Sequence, residues 1–108
     1  MRFIGLKTCD TCRQALKALQ AAGYEVQVTD VRADGLTADD IAQIVAKFPA
    51  KVINKASTTW RGLSDAEKEI DSNRLLADHP TLMKRPVIAD GDWTMGWDKA
   101  TQAKWLGE

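Results

Sequence analysis

The chain predicts an α/β fold, a mixed sheet of four strands flanked by helices. Three observations carry that reading. Apolar residues switch between alternation and helical spacing from one segment to the next; the order is strand, helix, strand, helices, hairpin, helix; and the middle of the chain is helical rather than stranded. With 108 residues, one domain over 1–108 with a helical insertion at about 37–83 is expected, large enough for a core without disulfide staples.

The first strand is Phe3-Ile4-Gly5-Leu6, apolar enough to be buried. Ala15, Leu16, Leu19 and Ala22 then form the stripe of an amphipathic helix, with Thr8 or Asp10 placed to cap its start and Ala22-Gly23 to stop it. Tyr24 to Asp30 alternates in the manner of a strand, and so compact a strand-helix-strand unit is parallel and right-handed. After the break at Asp34-Gly35, Thr37-Ala38-Asp39-Asp40 opens a helix whose buried face is Ile41, Ile44, Val45 and Phe48, ending before Pro49.

From Lys51 to Met83 the pattern is short helices and loop. Ser64-Asp65-Ala66-Glu67 is a capping box, and a further helix around Leu75-Leu76 ends near His79-Pro80. Asn54 to Arg61 reads as a polar loop. In it Trp60 either anchors the loop, with Lys55 and Arg61 solvated, or the three carry function. Pro86 to Ala89 is a strand, Asp90-Gly91 a hairpin turn and Trp93-Thr94-Met95 the returning strand. Asp98 is placed to cap a last helix containing Ala100, Ala103 and Leu106, and Trp93, Trp97 and Trp105 read as core and rim packing.

Fifteen basic and fifteen acidic residues cancel, so no broad field draws in nucleic acid or an anionic membrane. No apolar run approaches the ~20 residues of a membrane span, and the N-terminus lacks the apolar core of a signal peptide. A reducing cytoplasmic setting and a monomer are expected.

Chemistry concentrates at Leu6-Lys7-Thr8-Cys9-Asp10-Thr11-Cys12-Arg13, which holds both cysteines of the chain. The strand-to-helix junction places Cys9 at a helix N-terminus and Cys12 one turn inside. An ordinary cysteine, pKa near 8.5, is ~3% thiolate at neutral pH, whereas a pKa near 6 makes it roughly 90% thiolate. That shift corresponds to about 3.4 kcal/mol. A helix terminus supplies about 0.3 to 2 kcal/mol, so the rest falls to a hydrogen bond from Cys12 or to cations, locally Lys7 and Arg13. Two small buried core residues are the alternative reading. A zinc site is disfavoured and no metal is expected, since the one histidine, His79, lies far away in sequence.

Cys9-Asp10-Thr11-Cys12, Thr58-Thr59-Trp60-Arg61, His79-Pro80 and Lys84-Arg85-Pro86-Val87 together resemble the arsenate reductase and Spx family, most closely its short YffB-like members, over essentially the whole chain. The resemblance implies a thioredoxin-like fold and a nucleophilic Cys9. It also implies a cis Arg85-Pro86 bond against Cys9 and a guanidinium of Arg85 near the thiolate. Cys12 stands where glutaredoxin-coupled arsenate reductases have no cysteine, which opens an internal disulfide. Asn54, Arg85 and Gly96 match the three arginines of those enzymes, so two are replaced and arsenate binding loses charge-assisted contacts.

The reading is therefore a thiol-disulfide oxidoreductase with Cys9, Cys12 and Arg85 as catalytic residues. Lys7, Thr8, Thr11, Arg13, Lys55, Arg61 and Pro86 are its substrate-binding candidates. No bound cofactor is expected; glutathione is the expected co-substrate and a protein disulfide the other expected partner. The rival reading is a redox-sensing regulator that binds the α subunit of RNA polymerase, with Gly96 in a glycine slot of the Spx branch.

Overall fold

A computed structural model describes residues 1–107. The chain divides into two compact units, residues 1–34 with those from 85 onward, and residues 35–84.

The first unit holds a four-stranded mixed sheet. Its strands are β1 (Arg2–Gly5), β2 (Gln27–Asp30), β3 (Val87–Asp90) and β4 (Asp92–Met95), in the order β2-β1-β3-β4. β1 runs parallel to β2, from Arg2 against Gln27 to Gly5 against Asp30, and antiparallel to β3, with Phe3 against Ile88. β3 and β4 form the hairpin, which reverses at Gly91 with φ +79°. The central strands are apolar on both faces, as buried strands require, so Phe3, Ile4, Val87 and Ile88 are all buried.

Helices α1 (Asp10–Ala21) and α6 (Lys99–Leu106) supply the rest of this core, where Cys12, Ala15, Leu19 and Trp105 cluster with Phe3 and Ile88. Trp105 is anchored at both ends of its polarity. Its Nε1 donates to Thr94 Oγ1 at 2.8 Å, and its carbonyl accepts from the Tyr24 hydroxyl at 2.6 Å. Asp98 caps α6 as expected.

Several boundaries move for identifiable reasons. β2 begins at Gln27 rather than Tyr24 because its partner β1 begins at Arg2, and the Gln27 N–H already reaches the carbonyl of Met1. Tyr24 and Val26 pack instead against the core cluster. Leu6 lies past the end of β1, where its carbonyl accepts from the Cys9 N–H at 3.0 Å and turns the chain toward α1. On α1, Ala22 is exposed beyond the helix end, and Cys12 joins the buried stripe. On α6, Ala100 is exposed, and Thr101 and Trp105 form the buried face.

In the second unit, α2 (Ala38–Lys47) packs against α5 (Ser72–Asp78), with Ile41 and Ile44 on one and Leu75 and Leu76 on the other buried. Val45 and Phe48 are half-buried. The capping box forms as read, Ser64 and Glu67 exchanging both hydrogen bonds at the start of α4 (Asp65–Lys68). The expected loop at 54–61 contains a single helical turn, α3 (Thr58–Arg61), because the Ser57 hydroxyl accepts the Trp60 N–H. The stretch read as unstranded also carries one antiparallel bridge, Ile53 against Met83. A 3-10 turn over Pro80–Leu82 follows α5.

Candidate thiol site

β1 and the turn after it deliver the chain to Cys9, which is the N-cap of α1 in extended conformation (φ −85°, ψ 120°). Neither Thr8 nor Asp10 caps the helix. Asp10 is already its first residue and pairs with Arg13, while Thr8 is exposed. The Cys12 N–H, at the third helical position, is directed to the Cys9 sulfur. This contact falls short of the hydrogen-bond geometry of an oxygen cap for a neutral thiol, but it favours the anion.

The two sulfurs sit in opposite surroundings. Burial works against ionisation of Cys9. The Cys12 N–H, the Cys12 thiol and the Arg85 guanidinium with its charge outweigh that burial and hold the Cys9 thiol below its ordinary value. Cys12 is 3% exposed. Its burial pushes its thiol up to about 11; the Leu6 N–H pulls the other way, and the hydrogen bond and charge of Cys9 push it further up. Both cysteines are free thiols. Core packing and chemistry therefore coexist: Cys12 is a core residue and also the partner of an activated thiol.

The structure brings Cys9, Cys12 and Arg85 together, and the Arg85–Pro86 peptide is cis with Pro86 buried. Lys7 and Arg13, the sequence-based candidates for stabilising the thiolate, are engaged elsewhere. The Lys7 charge favours the Asp30 carboxylate, and Arg13 is held by Asp10 across one helical turn. Arg85 takes their place because β3 begins beside the N-terminus of α1. Thr8 and Thr11 are exposed. Lys55 and Arg61 belong to the second unit, where Lys55 lies 5.6 Å from the Trp60 ring centre and Arg61 donates to the Ala56 carbonyl at 2.9 Å.

Two residues escaped the sequence reading. Asp30, at the end of β2, accepts the N–H groups of Lys7, Arg32 and Ala33, each at 2.8 Å, and so ties the segment before Cys9 to the sheet. The Ala33 and Lys7 amides lead in holding its carboxyl below the usual aspartate value, against a burial effect of the opposite sign. The residue is buried, and it borders a pocket of about 250 Å³ lined also by Phe3, Gly5, Cys12, Leu16 and Val28. Gly5, the other, sits directly under Cys12. A glycine inside an apolar strand was the available signal for it. For Asp30 there was none beyond its place at a strand end.

Among the described residues, no group of three or more histidine, cysteine or acidic side chains is arranged to hold a metal ion. None of the described helices is long and apolar enough to cross a membrane.

Comparison with known proteins bears on this site. A model of the ArsC family matches residues 4–104. An uncharacterized protein of Haemophilus influenzae is 40% identical over 101 residues, 88% of this chain and 89% of that one. The global transcriptional regulator Spx of Staphylococcus saprophyticus is 29% identical over 77% of this chain and 68% of its own. A solved structure named YFFB protein superimposes with a TM-score of 0.87 at 28% identity, covering 97% of each chain, and carries the same thioredoxin-like arrangement.

Proposed function

The chain belongs to the ArsC family, and from that premise we propose that it is a thiol-disulfide oxidoreductase working with glutathione, with Cys9 as nucleophile and Cys12 as resolving thiol. The observation that carries the proposal is the opposed setting of two neighbouring sulfurs, one favoured as thiolate and the other kept protonated.

The exchange runs as follows. Cys9 thiolate attacks the glutathionyl sulfur of a mixed disulfide; a Cys9–glutathione bond forms, the old S–S bond breaks, and the released thiolate takes a proton from water. Cys9 is then uncharged, so its part in raising Cys12 is gone and burial alone opposes ionisation. Cys12 attacks the Cys9 sulfur as the Cys9–glutathione bond breaks, the Cys12 proton passing to the departing glutathione thiolate, and a Cys9–Cys12 disulfide is left. Two further glutathiones, oxidised to one glutathione disulfide, restore the dithiol. In the shorter route, a second glutathione attacks the Cys9 mixed disulfide directly. Arg85 and the exposed Lys7, Thr8, Thr11 and Arg13 are the groups of this unit that face an incoming anionic tripeptide. Such cycling belongs in a reducing cytoplasm.

The test is deglutathionylation of a peptide mixed disulfide by wild type, Cys9→Ser and Cys12→Ser. Loss in Cys9→Ser is expected, and unchanged turnover in that variant removes the proposal. Cys12→Ser decides between the two resolving routes. Arsenate has less support as substrate: Asn54 and Gly96 stand in arginine slots, and the Asn54 amide oxygen is spent on the Ala56 N–H at 3.1 Å.

The likeness to an Spx regulator favours one second reading, a redox-sensing protein that binds the α subunit of RNA polymerase. Its motive at Gly96 weakens, because φ there is +91° and a Cβ would meet nothing within 4 Å; backbone conformation accounts for this glycine without a partner. Polymerase capture that depends on the redox state of the cysteines would favour this reading, and no capture in either state would remove it.

A further inference from the structure

We propose that Gly5 is a positioning residue for the thiol pair: its bare Cα keeps open the place beneath α1 that the Cys12 sulfur occupies when it meets Cys9. The consequence for catalysis rests on the oxidoreductase reading; the geometry does not.

Gly5 closes β1, and its backbone is fixed. Its Cα is paired with Asp30, and its carbonyl accepts the Val31 N–H at 2.9 Å. A Cβ built there would lie 2.9 Å from Cys12 Sγ, 3.0 Å from Phe3 Cε1 and 3.4 Å from Cys12 Cβ. The first separation is closer than side-chain carbons approach a sulfur. Unlike Gly23, Gly91 or Gly96, Gly5 has no positive φ, so its backbone would accept any residue and the requirement is one of space.

The sulfur has few ways to yield, and each takes it away from Cys9. Cys12 has one side-chain torsion, and in a helix one of its three staggered positions collides with the preceding turn. Retreat of α1 is opposed by the packing of Cys12, Ala15 and Leu19 with Phe3 and Ile88. What yields is the rotamer, and a rotated sulfur leaves both the Leu6 N–H and Cys9. Gly5 thus acts through Cys12: it permits the buried thiol to stand next to the nucleophile, where it supports the anion and later attacks the mixed disulfide.

The test is the ultraviolet absorbance of thiolate across pH in the full-length protein. In Gly5→Ala the Cys9 titration moves up by about 1–2 pH units, the size of one lost hydrogen bond to the anion. In a Cys12→Ala background the same substitution adds no further shift, since the sulfur it obstructs is gone. An unshifted Cys9 titration in folded Gly5→Ala overturns the assignment, as does an equal shift with and without Cys12. Should Gly5→Ala fail to fold, denaturation midpoints carry the test. Gly5→Ala/Cys12→Ala then matches Cys12→Ala if the sulfur is the obstruction, and no recovery overturns the proposal. Wild type that titrates low but leaves mixed disulfides intact would remove the enzymatic reading and leave the role of Gly5 standing.

Discussion

The N-terminus of α1 and the helix starts within residues 35–84 solve the same problem in different ways. In the helical unit, α2, α3, α4 and α5 each begin on a side-chain oxygen, from Thr37, Ser57, Ser64 and Asp71, that accepts the N–H at the third helical position. α6 does the same with Asp98. α1 begins on Cys9, and the N–H in the equivalent place belongs to Cys12. A neutral thiol is a poor cap. The helix start is therefore left incomplete until the sulfur is charged, so part of what capping contributes to stability elsewhere is here tied to ionising the nucleophile.

The comparison is broken most completely by Cys9→Ser. Serine is a good N-cap, so thermal stability should hold or rise, by up to about 1 kcal/mol. Rapid alkylation by iodoacetamide at neutral pH should vanish, because the remaining thiol is buried and its burial opposes ionisation. A loss of stability in this variant would mean that the thiolate is a better cap than an oxygen.

Next in size is Asp30→Asn. The amide nitrogen of asparagine cannot accept the N–H groups that the carboxylate takes, and a cost of about 1–3 kcal/mol in urea denaturation is expected. The folded state favours the ionised carboxylate, so its contribution is full above the ordinary aspartate range, near pH 4. It is lost as pH falls from there through the lower folded value. The gap between wild type and Asp30→Asn should be complete at about pH 6 and shrink in stronger acid; a gap independent of pH would show that the charge is not what matters.

Arg85→Met removes the cation that faces Cys9 and should raise the midpoint of the alkylation pH profile by about one unit. Lys7→Met and Arg13→Met should leave it in place, since those charges serve Asp30 and Asp10. An equal shift in all three would restore a diffuse basic field as the cause. The smallest effect is that of Thr37→Ala, which should cost about 1 kcal/mol through the lost cap of α2 and leave the Cys9 profile unmoved.

Much of this arrangement is legible along the chain because it is local. The capping box at Ser64 and Glu67, the Asp98 cap, the hairpin at Gly91 and the stripe of α1 each depend on residues within a few positions of one another, and spacing alone specifies them. Family resemblance pointed to Arg85 and the cis bond that joins it to Pro86, which spacing cannot do. Cys9 and Cys12 were legible as a pair, but not the inequality between them. That depends on burial, and burial is decided by what lies underneath.

By itself, then, the sequence determined the alternation of elements, the place of the cysteines at a helix start and the oxygen caps at Thr37, Ser64 and Asp98, all consequences of short-range backbone geometry. Tertiary structure alone decided which cation faces the thiolate, why Asp30 is buried, and that Gly5 must be bare. The first two outcomes come from segments far apart along the chain meeting at one end of a sheet and the third from α1 folding back over β1, and all three from the electrostatics and volume available only where they meet.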